Sequence, residues 1–336
     1  MNFIDLFAGI GGFRLGLEGV GGEGGLGNKE EPQETDGDTG TNDVCVEGGG
    51  QPFRCVYSNE WDKYAAQIYK KNFGECDERD IRTINADEIP DHDLLCAGFP
   101  CQAFSVAGKR LGFEDTRGTL FFEIARILKH KRPRYFLLEN VKGLLSHDKG
   151  KTFQTILGVL SDLGYGTQWQ VLNSKHFGVP QNRERVFIIG HFRGKPRPKV
   201  FPLAEDDGLH SSPHGAKKRR SQAKLSSTIR GSNMKADHTF IIHNKYGGFG
   251  EKKLRKFTDY SPTIRTPKGG GHIPDVVEGM RIRRLTPIEC ERLQGFPDDW
   301  TEGVSDTQRY KCLGNVVTTN VVMVIGNKLK QEHLGI

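Results

Sequence analysis

The chain has 336 residues, 35% hydrophobic and 27% charged, with 48 Lys and Arg against 42 Asp and Glu. That length suits about two domains with a real core, and the composition is that of a globular chain. No run approaches the ~18–20 apolar residues of a membrane span. The opening MNFIDLFAGIGGF has no basic segment and no small-residue cleavage site, so a cytoplasmic, reducing setting is expected. The seven cysteines (45, 55, 76, 96, 101, 290 and 312) then remain thiols. None forms a CxxC pair, so no metal site is expected.

The formal charge of +6 is unevenly placed. Residues 19–51 hold eight acids, one base (Lys29) and eleven glycines, with almost no large apolar side chain. This segment reads as a disordered acidic insertion. Residues 191–257 hold sixteen Lys and Arg against five acids, the footprint of a polyanion binder.

In chain order, FIDLF (3–7) reads as a buried strand, followed by the glycine turn AGIGG and a short helix through Leu17. After the insertion, FRCVYS (53–58) reads as a strand and DKYAAQIYKKNF as an amphipathic helix. Strand DLLCAG (93–98) enters a long loop. Helix 119–130, strand 135–140 and helix 151–163 follow, then strands 167–173 and 185–190. This alternation predicts an α/β fold, a mostly parallel sheet with helices on both faces. After Gly190 the pattern breaks into a smaller irregular region with short strand-like pieces at 239–243 and 261–266. Helical periodicity returns at 285–297, and the apolar carboxyl terminus is expected to rejoin the first domain. The expected division is 1–190 plus about 308–336 as a first domain, about 191–280 as a second, and about 281–307 as the segment between them.

Four places carry chemistry. FAGIGGF (7–13) lies between a strand and a helix, where glycines admit a ligand and the helix amino end offers unpaired N–H groups. Glu60 ends the second strand, where an acid would meet ribose hydroxyls. With the insertion set aside, about 15 residues separate it from Gly12, near the ~20 of a Rossmann unit. The turn lacks the GxGxxG pattern, so a dinucleotide is not favoured. GFPCQAFSVAGKR (98–110) follows the carboxyl end of a strand, where Cys101 is either a nucleophile or a buried small side chain. Glu139-Asn140-Val141 ends another strand. Glu139 there could exchange a proton with a ring nitrogen, or Asn140 could simply cap a helix. In GVPQNRERVFIIG, Arg183 and Arg185 alternate along a strand and would share one face, suited to anion contacts or merely to an exposed edge.

Taken in order, FIDLFAGIGGFRLGLE, GFPCQAFSVAGKR, ENVKGL, QNRERVFIIG, RRLTPIECERLQGFP and GNVVTTNVV resemble the motif blocks of the bacterial cytosine-C5 DNA methyltransferases. The likeness is close over 1–18 and 53–190 and looser over about 258–325. It implies a Rossmann-like S-adenosylmethionine-dependent fold with a smaller target-recognition domain. It also implies 5-methylcytosine formation on a base flipped out of double-stranded DNA. By the same resemblance Cys101 would be the nucleophile, with Glu139, Arg183 and Arg185 as its catalytic partners. Phe7, Gly9, Gly11, Gly12, Glu60, Trp61, Asp80, Ile81, Pro100, Leu120, Asn315 and Val317 would hold S-adenosylmethionine. Gln102, Ser105, Lys109, Arg110 and Arg117 would meet DNA. So would Gly248, Phe249 and Gly250, where Phe249 replaces a glutamine found in one member of the family, and the basic Lys217 and Lys218.

The resemblance further implies a monomer serving a restriction–modification system, its endonuclease acting on the same site without a stable complex. A tRNA cytosine-C5 methyltransferase and a catalytically silent DNA-binding protein stand as alternatives. Three departures stand out: the acidic insertion, Val316 where a smaller residue often follows Asn315, and a recognition region unlike its relatives. Deletion of residues 22–50 is expected to leave soluble, folded protein with an unchanged circular dichroism spectrum; loss of soluble protein would show that the segment packs.

Overall fold

The computed structural model describes residues 1–19, 53–100, 120–194, 197–203, 239–243, 254–258, 260–265, 273–278 and 281–334. The acidic insertion and the basic run at 217–220 lie outside them. Strands β1 (Asn2–Leu6), β2 (Arg54–Asn59), β3 (Leu94–Gly98), β4 (Tyr135–Val141), β5 (Tyr165–Asn173) and β7 (Glu184–Phe192) form one six-stranded sheet. Its order is β2-β1-β3-β4-β7-β5. The first four strands run parallel, whereas β7 is antiparallel to both neighbours. The chain explains the exception: the link from β5 to β7, which holds one 3-10 turn (Ser174–His176) and the two-residue β6 (Gln181–Asn182), is too short for a parallel crossover. β5 also begins earlier than its apolar pattern suggests. Tyr165 is buried there and its hydroxyl donates to the Pro133 carbonyl, 2.9 Å away.

Helices cover both faces because the strands bury both. On one face Ile4, Leu6, Leu95, Phe136, Leu138 and Ile188 pack beneath α3 (Leu120–Lys131) and α4 (Lys151–Asp162). On the other, Phe3, Leu94, Leu137, Phe187 and Ile189 pack beneath α1 (Gly12–Glu18) and the last helix, α7 (Thr319–Leu334). Adjacent residues of one strand thus serve opposite cores, as a pleat requires. The contact of α1 with α7 needs small residues: a Cβ on Gly16 would fall 2.6 Å from Cβ of Val322.

The remaining elements gather around a third apolar cluster. Helix α2 (Lys63–Phe73) is capped by Asp62, whose side chain accepts from the Tyr64 and Ala65 N–H groups at 3.1 Å. Helix α5 (Pro287–Gln294) opens with a capping box between Thr286 and Glu289. Helix α6 (Asp306–Asn315) packs against both. Strands β8 (Thr239–His243), β9 (Leu254–Phe257), β11 (Asp275–Glu278) and β12 (Arg281–Arg284) form a separate antiparallel sheet in the order β12-β11-β8-β9. Of the strand expected at 261–266, only β10 (Ser261–Pro262) pairs, alongside β6. Ile264, Ile273 and Val276 reach the cluster that also contains Ile10, Ile68, Leu293 and Leu313, so this region is fastened to the first.

At the centre of the large sheet, Gly190 faces Phe136 across β4 and β7, and a Cβ there would enter the phenyl ring. Gly190→Ala should therefore cost about 1–3 kcal/mol. Thermal denaturation should show a midpoint lowered by several degrees, partly restored by Phe136→Leu. A midpoint equal to that of the unmodified protein would contradict this packing.

Candidate active site

The carboxyl ends of β2, β1, β3 and β4 lie side by side, the edge at which open α/β sheets bind ligands. At the β1 end the chain turns through Phe7, Gly9 and Gly11, all with left-handed φ values (55°, 57° and 89°). The Gly11 N–H donates to the Ala8 carbonyl at 2.9 Å, closing the turn. Each glycine has its own reason. A Cβ on Gly11 would strike the Phe73 ring, and one on Gly12 would press on Val316 and Val317. Space beside Gly9 is open within 4 Å, so there the left-handed backbone is the constraint. Val316, bulkier than the residue common at that position, is accommodated because Gly12 brings no side chain.

Glu60 follows β2 and is bound at both oxygens. The Gly9 N–H donates to one at 2.8 Å and the Asp62 N–H to the other at 2.7 Å. Burial pushes its carboxyl above the usual range, while the two N–H groups pull it down. Each oxygen keeps a further accepting lone pair for hydroxyl donors. Trp61, next in the chain, is 66% exposed, an apolar ring held in solvent at the same edge. Asp62 also pairs with Lys311 of α6. Burial would raise the Asp62 carboxyl, but Lys311 and the two capped N–H groups bring it below its ordinary value. That pair ties the amino end of α2 to the helix that ends at Asn315, an exposed residue, two before the buried Val317.

The Asp77–Asp80 segment is brought to this edge by Asn59. Its Nδ2 donates to the Asp77 and Arg79 carbonyls, each at 2.9 Å. Asp80 accepts from the Arg82 N–H at 3.0 Å, and its ion pair with the Arg82 side chain holds the carboxyl low. Ile81 is buried behind it. An open left-handed glycine, an anchored diol acceptor and an exposed aromatic ring fit a nucleoside-type cofactor such as S-adenosylmethionine. Leu120 is half-buried at the start of α3, and Pro100 is exposed just beyond β3.

The second half of the site stands at the ends of β3 and β4. Glu139 is 7% exposed and pairs in register with Gly98. Its Oε1 lies 2.9 Å from Arg185 Nε of β7, two residues along the antiparallel register. Burial raises the Glu139 carboxyl, and the Arg185 and Arg183 charges oppose the rise. Burial also lowers the Arg185 guanidinium from its ordinary value. The residue beside Glu139 anchors the neighbouring loop: Asn140 Nδ2 donates to the Phe99 carbonyl at 2.8 Å, fixing the chain two residues before Cys101. Asn140 therefore does not cap a helix; its Oδ1 accepts from the Val141 N–H instead.

Arg183 takes a different place from that expected. It is fully buried and precedes β7 instead of sharing a strand face with Arg185. One of its terminal nitrogens donates to the Ile264 carbonyl at 3.2 Å. The other donates to those of Gly314 and Val316, at 3.1 and 2.7 Å. Its donors thus hold three backbone segments together, because a buried guanidinium must find acceptors. Arg183 is a clamp in this arrangement, and Glu139 and Arg185 form the pair. Cys101, Gln102, Ser105, Lys109, Arg110, Arg117, Lys217, Lys218, Gly248, Phe249 and Gly250 lie outside the described residues. Among the described residues no group of His, Cys, Asp or Glu could hold a metal ion, and no helix is long and apolar enough to cross a membrane. Trp300 and Lys311 were invisible to sequence reasoning. Their partners Ile10 and Asp62 are some 250–290 positions away, and no local pattern marks them.

The chain is 39% identical to the type II methyltransferase M.HhaI of Haemophilus parahaemolyticus over 339 residues, covering 97% of this chain and 93% of the relative. It is 42% identical to M.NgoBI of Neisseria gonorrhoeae over 323 residues (95% and 90%) and 40% identical to M.SsoII of Shigella sonnei over 333 residues (98% and 79%). The fold is similar to that of the S. pombe Dnmt2 methyltransferase, with a TM-score of 0.65, 18% identity and full coverage of both chains. It is also similar to a prophage-encoded putative DNA modification methyltransferase of E. coli, with a TM-score of 0.63, 20% identity and 99% coverage of each. The profile of the C-5 cytosine-specific DNA methylases matches residues 1–331, and this chain belongs to that family.

Proposed function

We propose that this DNA cytosine-C5 methyltransferase is the modification enzyme of a restriction–modification system, and that Cys101, Glu139 and Arg185 carry out the reaction on a flipped-out cytosine. The observation that best supports the residue roles is the buried Glu139–Arg185 pair, one strand from the anchored start of the Cys101 loop. The nucleoside-type pocket opens two strands further along the same sheet edge. In this reading the chain acts as a monomer. A cognate endonuclease reads the same site without forming a stable complex with it.

Cytosine C5 is a weak nucleophile and must be activated. The Cys101 thiolate adds its electron pair to C6 while Glu139, its carboxyl raised by burial, places a proton at N3. The ring π electrons shift, and C5 becomes an enamine carbon. Bound S-adenosylmethionine supplies the electrophilic methyl group that C5 takes. Loss of the C5 proton to solvent then expels the Cys101 thiolate, and N3 returns its proton to Glu139. Arg185 holds the Glu139 carboxyl in one orientation and limits how far burial raises it. The target base cannot reach this pocket from within the duplex, so it must unstack. Glu60 and Trp61 would hold the donor's ribose and adenine, with Asp80, Ile81, Asn315 and Val317 around them. The expected division into catalytic, recognition and hinge segments accompanies this reading. Arg183 then fastens the recognition segment to the catalytic one by bonding to carbonyls at 264, 314 and 316.

Cys101→Ser should bind S-adenosylhomocysteine as the wild type does and transfer no labelled methyl group to DNA. Glu139→Ala should lower turnover about 10²–10⁴-fold, the usual range for a lost acid–base group. Glu139→Gln should retain more activity, because an amide still donates to N3. Near-wild-type transfer by Cys101→Ser would remove the nucleophile from this scheme.

A further inference from the structure

The glycine turn is held from outside by one residue that the reaction does not use. Trp300 lies in the connection between α5 and α6, and its indole Nε1–H donates to the Ile10 carbonyl at 2.9 Å. The Ile10 carbonyl and the Gly11 N–H belong to one peptide unit. Trp300 binds the first and the Ala8 carbonyl binds the second, so both ends of that plane are fixed. A glycine after a carbonyl permits a peptide flip at little steric cost. Here the flip would break two hydrogen bonds. The Trp300 ring also meets Phe73 edge-on, with centroids 5.4 Å apart, and Phe73 is the ring that Gly11 approaches too closely to carry a Cβ. One side chain therefore fixes the turn through its backbone and through its packing.

The connection is itself built to hold Trp300 still. In front, α2 grips its backbone: Asn72 Nδ2 donates to the Trp300 carbonyl at 3.0 Å, and Lys71 Nζ donates to the Asp299 and Glu302 carbonyls at 3.1 and 3.2 Å. Behind, the fully buried Glu291 accepts from the Thr301 N–H at 2.8 Å and pairs with Arg309 at 3.0 Å. Both bonds fall on one Glu291 oxygen and fix the connection behind Trp300; a buried charge pair of this kind is weak evidence of added stability.

We propose that Trp300 is a positioning residue for the methyl donor, holding the Ile10–Gly11 peptide of the glycine turn in its cofactor-binding orientation. This rests on the reading of that turn, with Glu60, as the cofactor pocket. Trp300→Phe keeps the ring and removes the N–H. Isothermal titration of the DNA-free, full-length protein with S-adenosylhomocysteine should show a dissociation constant raised about fivefold, the size of one lost hydrogen bond. The unfolding midpoint without cofactor should stay within about 3 °C of wild type. In steady state KM for S-adenosylmethionine should rise, with kcat at saturation unchanged. Glu60→Gln is the control for the pocket. An unchanged constant for Trp300→Phe, with weakened binding by Glu60→Gln, would overturn the role of Trp300 alone. Unchanged binding by Glu60→Gln would instead overturn the pocket on which the proposal rests. Should Trp300→Phe not fold, Asn72→Ala releases the same tryptophan from its far side. It should weaken binding about twofold, and no weakening would overturn the proposal.

Discussion

A carboxyl group buried at the end of a β-strand must find a partner or give up its charge, and the arrangement around Glu139 follows from that constraint. Arg185 reaches it at 2.9 Å because β7 runs antiparallel to β4 and sets residue 185 opposite residue 141. A parallel neighbour would offer a different register. The antiparallel turn of the chain after β5 is thus a requirement of the site as much as a departure from a parallel sheet. Burial and Arg185 act on Glu139 in opposite senses, burial being the larger. The group is thereby poised to hold a proton where an exposed glutamate would have lost it.

The proposed cofactor side depends on a different kind of restraint. Its groups come from β1, β2, the segment after Phe73 and the end of α6, all distant in sequence. Backbone hydrogen bonds gather them: Glu60 on Gly9 and Asp62, Asn59 on Asp77 and Arg79, Trp300 on Ile10. Lys311 adds an ion pair between α6 and the cap of α2. The Glu60–Gly9 bond spans the acidic insertion, and the Trp300–Ile10 bond ties the turn before it to the segment after residue 280. The insertion therefore interrupts the chain without separating the groups that need one another. Arg183 does the same for the segments around 264 and 314–316.

Much of this was readable in the sequence where the signal is local. The strand–glycine–helix unit at 2–18, the capped helix after Glu60 and the acid ending β4 each rest on neighbouring residues, and each stands where its pattern placed it. What escaped was non-local. Arg183 and Arg185 share an alternation that suggests one face and one job. The burial of Arg183 among three carbonyls from distant segments divides their roles. Asn140 reads as a helix cap and instead anchors the next strand's loop, a partnership 41 residues apart. Trp300 follows an unremarkable Pro-Asp-Asp and has its partner 290 residues earlier. Hydrogen bonds between remote backbone and side chain leave no periodic trace.

The central claim is that this architecture places a methyl group on C5 of one cytosine within a fixed DNA sequence. Its most direct test is bisulfite sequencing of a random-sequence plasmid after incubation with the protein and S-adenosylmethionine. The account predicts protected cytosines confined to one short motif and absent when the cofactor is withheld. No protected cytosine in any context, from protein that still binds duplex DNA and cofactor, would contradict it.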